Sequence, residues 1–386
     1  MLKYKIDRRK LIAVATLTLL AACQTGPKGP TPTPAPPPPP PPNANTLPTD
    51  AQRHRVALLV PMTGPNAAVG QSIANATTKA LLDSNASNLR ITTYDTALGA
   101  SVAAGRAISD GNKLILGPLL SEDIPPVIAT ARNARVPVIS YSNDAARAGR
   151  DVFIMGMLPS ASVERTVAYA RSQGLSRFAG LAPVGEYGQR ASAALVATVR
   201  AQGGTLVAME SYDRTAASVT GAARRLKAKG GYEAVLIADG GRISAQAGPQ
   251  LKAPADATPR ILGTELWSGD NAVVASPALR GAWFAAVSDA RYRQFAESYR
   301  SRFGNQPYRI ATLGYDSVLL TLRIAREWKP GTTFPTARMF DRGGFVGVDG
   351  AFRFTNGGVI QRALEVRQVR AGGVDVVSQA PAQFSD

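Results

Sequence analysis

The chain has 386 residues, a formal net charge of +17, one cysteine (Cys23) and one histidine (His54). A lone cysteine forms no intramolecular disulfide, and a lone histidine beside a proline-rich segment argues against Ser-His-Asp and Cys-His catalysis and against His-rich metal sites. No GxSxG, HExxH, P-loop or post-strand GxGxxG pattern occurs and no carboxylate pair stands out, so neither an enzyme nor a cofactor is expected, and the length allows two or more globular units.

Met1–Lys10 carries Lys3, Lys5, Arg8, Arg9 and Lys10, and Leu11–Leu20 is apolar apart from two threonines. This is the charge-then-apolar pattern of a secretory signal, too short to span a bilayer as a stable helix. The stretch that ends it, Leu20-Ala21-Ala22-Cys23, resembles the lipobox of bacterial lipoproteins. That resemblance implies removal of residues 1–22 and acylation of Cys23, with acyl chains supplying the membrane affinity the polypeptide lacks. Gln24 follows where an Asp would favour inner-membrane retention, so the resemblance implies the periplasmic side of the outer membrane. Without the signal and its Asp7, the charge is about +13. Such a surface favours anionic partners, namely a wall polymer, a lipid head group or an acidic protein patch. The exported compartment argues against nucleic acid.

Residues 23–52 read as a lipidated cysteine followed by a tether. Pro30, Pro32 and Pro34 lead into the unbroken run Pro36–Pro42. A run without interior donors adopts polyproline II. At roughly 3.1 Å per residue it would hold a body on the order of 60 Å from the membrane.

The body starts at Arg53. Val56–Val60 is a continuous apolar run, the pattern of a strand buried on both faces, and Pro61-Met62-Thr63-Gly64-Pro65 breaks it. Val69, Ile73, Ala76 and Ala80 then recur at helical spacing. The unit repeats: Leu114–Leu116 leads to Gly117-Pro118 and a helix bearing Ile124, Val127, Ile128 and Ala131, with Ser121 placed to cap it. Val136–Ser140 and Val152–Met155 are further strands. A second series has strands at Phe178–Ala182, Leu206–Met209, Ala234–Ala238 and Arg260–Gly263. Between them lie helices such as that of Ala191, Leu195 and Val199, and Arg224, Arg225, Lys227 and Lys229 mark a solvated helix face. Trp283–Val287 is a strand, Tyr292–Phe303 and Leu313–Glu327 are helices, and Ala351–Phe354 and Ala363–Val369 are strand-like around Asn356-Gly357-Gly358. Strands alternating with helices predict parallel sheets covered on both faces.

This α/β arrangement resembles the type I periplasmic-binding-protein fold: two Rossmann-like lobes with parallel sheets, joined by three hinge crossings. Within it, Arg55–Gly64 (RVALLVPMTG), Leu116–Leu120 (LGPLL), Pro137–Ser140 (PVIS), Gly281–Phe284 (GAWF), Tyr315-Asp316 and Gly344–Phe354 (GFVGVDGAFRF) resemble the penicillin-binding protein activator lipoproteins. These are outer-membrane proteins that stimulate bifunctional peptidoglycan synthases, and the resemblance covers roughly Arg53 to Val377. It implies a first lobe of 53–158 plus 283–342, a second of 159–282 plus 343–378, and a frayed tail from Gln379. The best-known members of that group carry a helical-repeat domain before this body. Here the proline-rich tether stands in its place.

The branched-chain amino-acid receptors share the fold, and their resemblance implies a ligand cleft between the lobes. A Ser after the Gly-Pro strand, groups near the PVIS loop, a Tyr in an x-Tyr-Gly turn and an acid would hold the ligand. The counterparts are Ser121, Ser142, Tyr187 and Glu265. The chemistry is coherent for a zwitterion, since helix-terminal donors suit a carboxylate and an anion suits an ammonium. Asp144 departs from the pattern, because an anion there repels a carboxylate. Each residue also has a structural reading: Ser121 as a helix cap, Tyr187 packing at a turn, Glu265 as a solvated loop acid. Trp267 would close the cleft or fill a gap between lobes, and Asp95 would cap a turn. The sequence thus leads first to a lipid-anchored regulator that binds and activates a penicillin-binding protein. The alternative is a periplasmic solute-binding protein closing on an amino-acid-like molecule or wall fragment.

Overall fold

The computed structural model describes residues 52–252, 258–381 and 384. These lie within a compact unit spanning Pro48–Asp386. The signal, Cys23 and almost all of the tether lie outside the described residues.

Five strands, β1 (His54–Val60), β2 (Leu89–Asp95), β3 (Leu114–Leu116), β4 (Val138–Ser140) and β5 (Val152–Ile154), form the first sheet in the order β2-β1-β3-β4-β5. Every pairing in it is parallel. Helices α1 (Ala67–Asp83), α2 (Ala100–Ser109) and α3 (Ile124–Ala131) connect them. The apolar run in β1 works as its composition requires. Val56, Leu58 and Val60 enter one core and Ala57 and Leu59 the other, all essentially fully buried. Each large aliphatic so placed contributes roughly 1.5–3 kcal/mol of burial. The lone histidine is part of this structure too. His54 is buried at the start of β1 and stacks on Trp328 at 4.2 Å, where burial lowers its pKa.

The second half repeats the plan. Helices α4 (Pro159–Ser172), α5 (Glu186–Ala201), α6 (Ala216–Lys229), α7 (Gly241–Leu251) and α8 (Asn271–Ala275) alternate with β6 (Arg177–Pro183), β7 (Thr205–Tyr212), β8 (Ala234–Ile237), β9 (Arg260–Gly263) and β10 (Trp283–Ala286). Next come α9 (Ala290–Phe303), α10 (Thr312–Ala325) and β11 (Phe345–Gly347) to β15 (Gly373–Ser378), with β12 at Gly350–Phe354, β13 at Ile360–Arg362 and β14 at Glu365–Arg370. The second sheet runs β15-β14-β10-β9-β8-β6-β7. It is mixed rather than wholly parallel, because β14 pairs antiparallel with both β10 and β15. Strands β11, β12 and β13 form a small antiparallel sheet of their own.

The lobe boundaries differ from expectation in two places. Trp283–Ala286 was expected to open the return to the first lobe, yet it pairs with β9 and β14 inside the second sheet. Its alternate side chains explain this, since Phe284 and Ala286 fill one core of that sheet and Trp283 and Ala285 the other. Conversely, residues 345–362 were expected in the second lobe, but Phe345, Phe352, Phe354 and Ile360 complete the first core. Phe354 meets Phe153 of β5 edge-on at 5.5 Å. Only β14 and β15 cross back. The three crossings therefore follow β5, β10 and β13. At the first residue of the tail, the Gln379 carbonyl accepts from Arg165 Nη2 at 3.2 Å.

Candidate functional site

Both sheets carry one strand order, β2-β1-β3-β4-β5 and β7-β6-β8-β9-β10, with the reversal at β1/β3 and β6/β8. Ligands of open α/β sheets bind beyond the carboxyl ends of strands at such reversals. All four expected cleft residues stand there: Ser121 after β3, Ser142 after β4, Tyr187 after β6 and Glu265 after β9.

The first lobe brings Ser121 and Ser142 together on Asp144. Ser121 Oγ donates to Asp144 Oδ2 at 2.7 Å, while Ser142 Oγ accepts from Asp144 N at 3.1 Å. Ser121 is therefore not a helix cap, since Asp123 precedes α3 and makes no side-chain cap bond. Burial pushes the Asp144 carboxyl up. The Ser121 hydroxyl, Arg190, the Ala146 N–H and Arg147 outweigh it and hold Asp144 below the ordinary carboxylate range. Asp95 is the turn-capping residue it was expected to be, accepting from Ala97 N at 2.9 Å and from Met62 N at 2.8 Å.

The second lobe joins Tyr187 to Glu265. The Tyr187 hydroxyl approaches Thr264 Oγ1 at 2.9 Å and donates to Glu265 Oε1 at 3.0 Å. Burial, then the Glu265 charge, pushes this hydroxyl far up. Glu265 is no solvated loop acid: its Oε2 is buried without a hydrogen-bond partner, and burial raises its carboxyl to about 7. Tyr187 is placed by close packing of α5 on the end of β6. A Cβ on Gly188 would lie 1.7 Å from the Pro183 carbonyl oxygen. Trp267 neither closes the cleft nor bridges the lobes. It is 1% exposed in the second-lobe core, its Nε1 donates to the Asp239 carbonyl at 2.9 Å, and its ring covers Gly263.

Sequence reasoning missed Arg190, one helical turn from Tyr187. It crosses between the lobes to Asp144 Oδ2 at 3.1 Å and to Asn143 Oδ1 at 2.9 Å, and also pairs with Glu186 at 2.8 Å. The available signal was the placement of a charge on the same face as Tyr187 in the first turns of α5. Deeper down, residues from all three crossings line a cavity of about 50 Å³ with Glu265, Arg309 and Arg362 in its wall. Among the described residues, no group of three His, Cys, Asp or Glu side chains is placed to hold a metal. No described helix is long and apolar enough to cross a membrane. The arrangement places paired charges and directed hydrogen bonds where the two lobes meet.

A family model described as periplasmic binding protein matches residues 54–374. The chain belongs to the periplasmic binding protein family. The ligand-binding protein of a branched-chain amino acid ABC transporter from Burkholderia xenovorans LB400 superposes with a TM-score of 0.68 at 19% identity, covering 85% of this chain and 95% of that one. An ABC transporter solute-binding protein from Rhodopseudomonas palustris BisB5, solved with 3,4-dihydroxybenzoic acid, gives a TM-score of 0.64 at 19% identity over 86% of this chain and 97% of its own. An uncharacterized protein of Rickettsia prowazekii (strain Madrid E) is 27% identical over 173 residues, 44% of this periplasmic binding protein and 46% of its own length. Less than half of that relative is thus spanned.

Proposed function

We propose that this periplasmic binding protein captures a small solute between its lobes, in the manner of the transporter receptors it resembles. The observation that carries the reading is Glu265, whose carboxyl is fixed by Tyr187 on one oxygen while the other is buried without a partner. A solute with a donor for that oxygen, such as an amino-acid-like molecule or a wall fragment, would complete the site. Ser121 and Ser142 contribute by setting Asp144, because their hydroxyls are already engaged with it. The role is capture rather than turnover. The lipobox resemblance adds acylation at Cys23 and a location on the periplasmic side of the outer membrane. Docking on a penicillin-binding protein rests on the sequence resemblance alone, and crosslinking in cells followed by mass spectrometry tests it.

The test of capture is a thermal-shift panel of amino acids and wall fragments on the intact protein and on Glu265→Ala. At least one compound should raise Tm in the intact protein, and the variant should lose that gain. No stabilisation by any compound would overturn the reading.

A further inference from the structure

Two arginines at the hinge stand outside the four-residue cleft. The cavity where the crossings meet has Met157, Leu158, Ile360 and Leu364 as apolar wall, with Glu265, Arg309 and Arg362 as its charged groups. Among the described residues, nine buried side-chain nitrogen and oxygen atoms lack a hydrogen-bond partner. Five of them belong to these three residues: Glu265 Oε2, Arg309 Nε and Nη2, and Arg362 Nε and Nη1. A buried donor left unpaired costs about 1–3 kcal/mol, more when charged. Four such N–H-bearing nitrogens on two residues of one small cavity call for an acceptor.

The geometry of Arg309 says what kind. Its Nη1 is spent, donating to Asp349 Oδ1 at 2.6 Å and to Thr312 Oγ1 at 3.2 Å. Its plane lies over the Tyr292 ring, 4.1 Å from the centroid. The remaining edge, Nε with Nη2, is the side of a guanidinium that grips a carboxylate through two parallel hydrogen bonds. Asp289 Oδ1 stands 4.0 Å from Nη2, beyond hydrogen-bond reach, and Asp289 is itself paired with Arg367. Arg362 is 8% exposed. Its Nη2 donates to the Met155 carbonyl at 3.0 Å, and Asp316 stands 3.9 Å from its Nη1. Asp349 and Asp316 are themselves occupied by the Thr312 hydroxyl and the Val348 N–H.

We propose that this hinge cavity receives the carboxylate of the captured solute, held by the Nε/Nη2 edge of Arg309 and by Arg362, with the adjoining carbons against Met157, Leu158, Ile360 and Leu364. The inference rests on the solute-capture reading and names the solute class: monocarboxylic acids with a short apolar segment behind the acid group. It also moves the acid from the serine cluster to the hinge, where Arg309 and Arg362 flank Glu265 in one wall. A space of about 50 Å³ takes roughly four water-sized units, so acetate and propionate are the smallest probes that fill it.

The experiment is calorimetric titration of the full chain with propionate, with propionamide as its neutral isostere and with chloride at equal ionic strength. Propionate should bind saturably and the other two should not. Arg309→Lys keeps the charge and loses the two-pronged edge, and should weaken propionate at least tenfold while circular dichroism stays unchanged. The exposed Arg224→Ala should leave the affinity as it is. Equal binding of the amide or chloride, or an unchanged affinity in Arg309→Lys, overturns the proposal, and the acid–amide comparison decides even if the arginine variants fail to fold. If no carboxylate binds but another class of solute stabilises the protein through Glu265, the hinge site falls and solute capture stands. If no solute of any class binds, both fall.

Discussion

Arg190 of α5 reaches Asp144 of the β4 loop at 3.1 Å, joining one lobe to the other across the cleft. Its guanidinium also serves Asn143 and Glu186 and is only about a quarter exposed. Exposed ion pairs are worth about 0.2–1 kcal/mol, and this one sits toward the upper end because both partners are partly shielded. Arg190→Ala should therefore cost about 1 kcal/mol of global stability and loosen the lobes. Small-angle scattering should show a larger radius of gyration. An unchanged radius would mean that the crossings alone set the lobe angle.

Glu265 gives a pH signature. Its carboxyl is raised from an ordinary carboxylate value to about 7 by burial. The folded state thus holds this proton over a range where the unfolded state has released it. Stability then falls as pH rises from about 4.5 to above 7, and the penalty is complete beyond that. A shift of this size corresponds to something on the order of 3 kcal/mol. Glu265→Gln removes the titration, so it should match the wild type near pH 4.5 and exceed it at pH 8.5. Chemical denaturation at both pH values measures the difference, and a gap that does not grow with pH counts against the burial argument.

Much of this was legible because strands buried on both faces advertise themselves. Val56–Val60 and Ala234–Ala238 read as strands from composition alone, whereas Ser121, Ser142, Tyr187 and Glu265 came only from the resemblance to the branched-chain amino-acid receptors. What a side chain points at was not legible. Nothing in the order of residues says that Ser121 turns to Asp144 instead of capping α3. The return path was also hidden, because Trp283–Ala286 would fill a sheet in either lobe, and only the pairing with β9 and β14 decides. The hinge charges left a faint signal. Arg362, Glu365 and Arg367 fall at buried positions of β13 and β14, and charges at inward strand positions mark paired or functional groups.

Gly188 is the backbone contact that places Tyr187 and Arg190. An added Cβ would stand 1.7 Å from Pro183 O, a separation no structure tolerates, and that atom is backbone. Gly188→Ala must therefore shift the start of α5 away from β6. The two cleft residues on that helix would move together, separating Tyr187 from Glu265 and Arg190 from Asp144. Ligand-induced stabilisation should weaken at least tenfold in apparent affinity, while far-UV circular dichroism stays close to wild type. An unaffected affinity would show that α5 does not carry the site.

A buried charge also ties the hinge together. Arg367 is 2% exposed on β14; its Nε donates to Glu365 Oε1 at 2.7 Å, and Nη1 and Nη2 pair with Asp289 and the Val287 carbonyl. Arg367→Met keeps most of the volume and strands the two acids, and removing one partner of a buried pair costs about 3–5 kcal/mol. The double variant Arg367→Met/Glu365→Gln strands one acid fewer, so it should be more stable than the single variant although it carries one substitution more. Urea unfolding of the three proteins reads this directly. A single-variant loss under about 1 kcal/mol, or a double variant below the single one, would show that water reaches these acids and that the second and third crossings are not tied through Arg367.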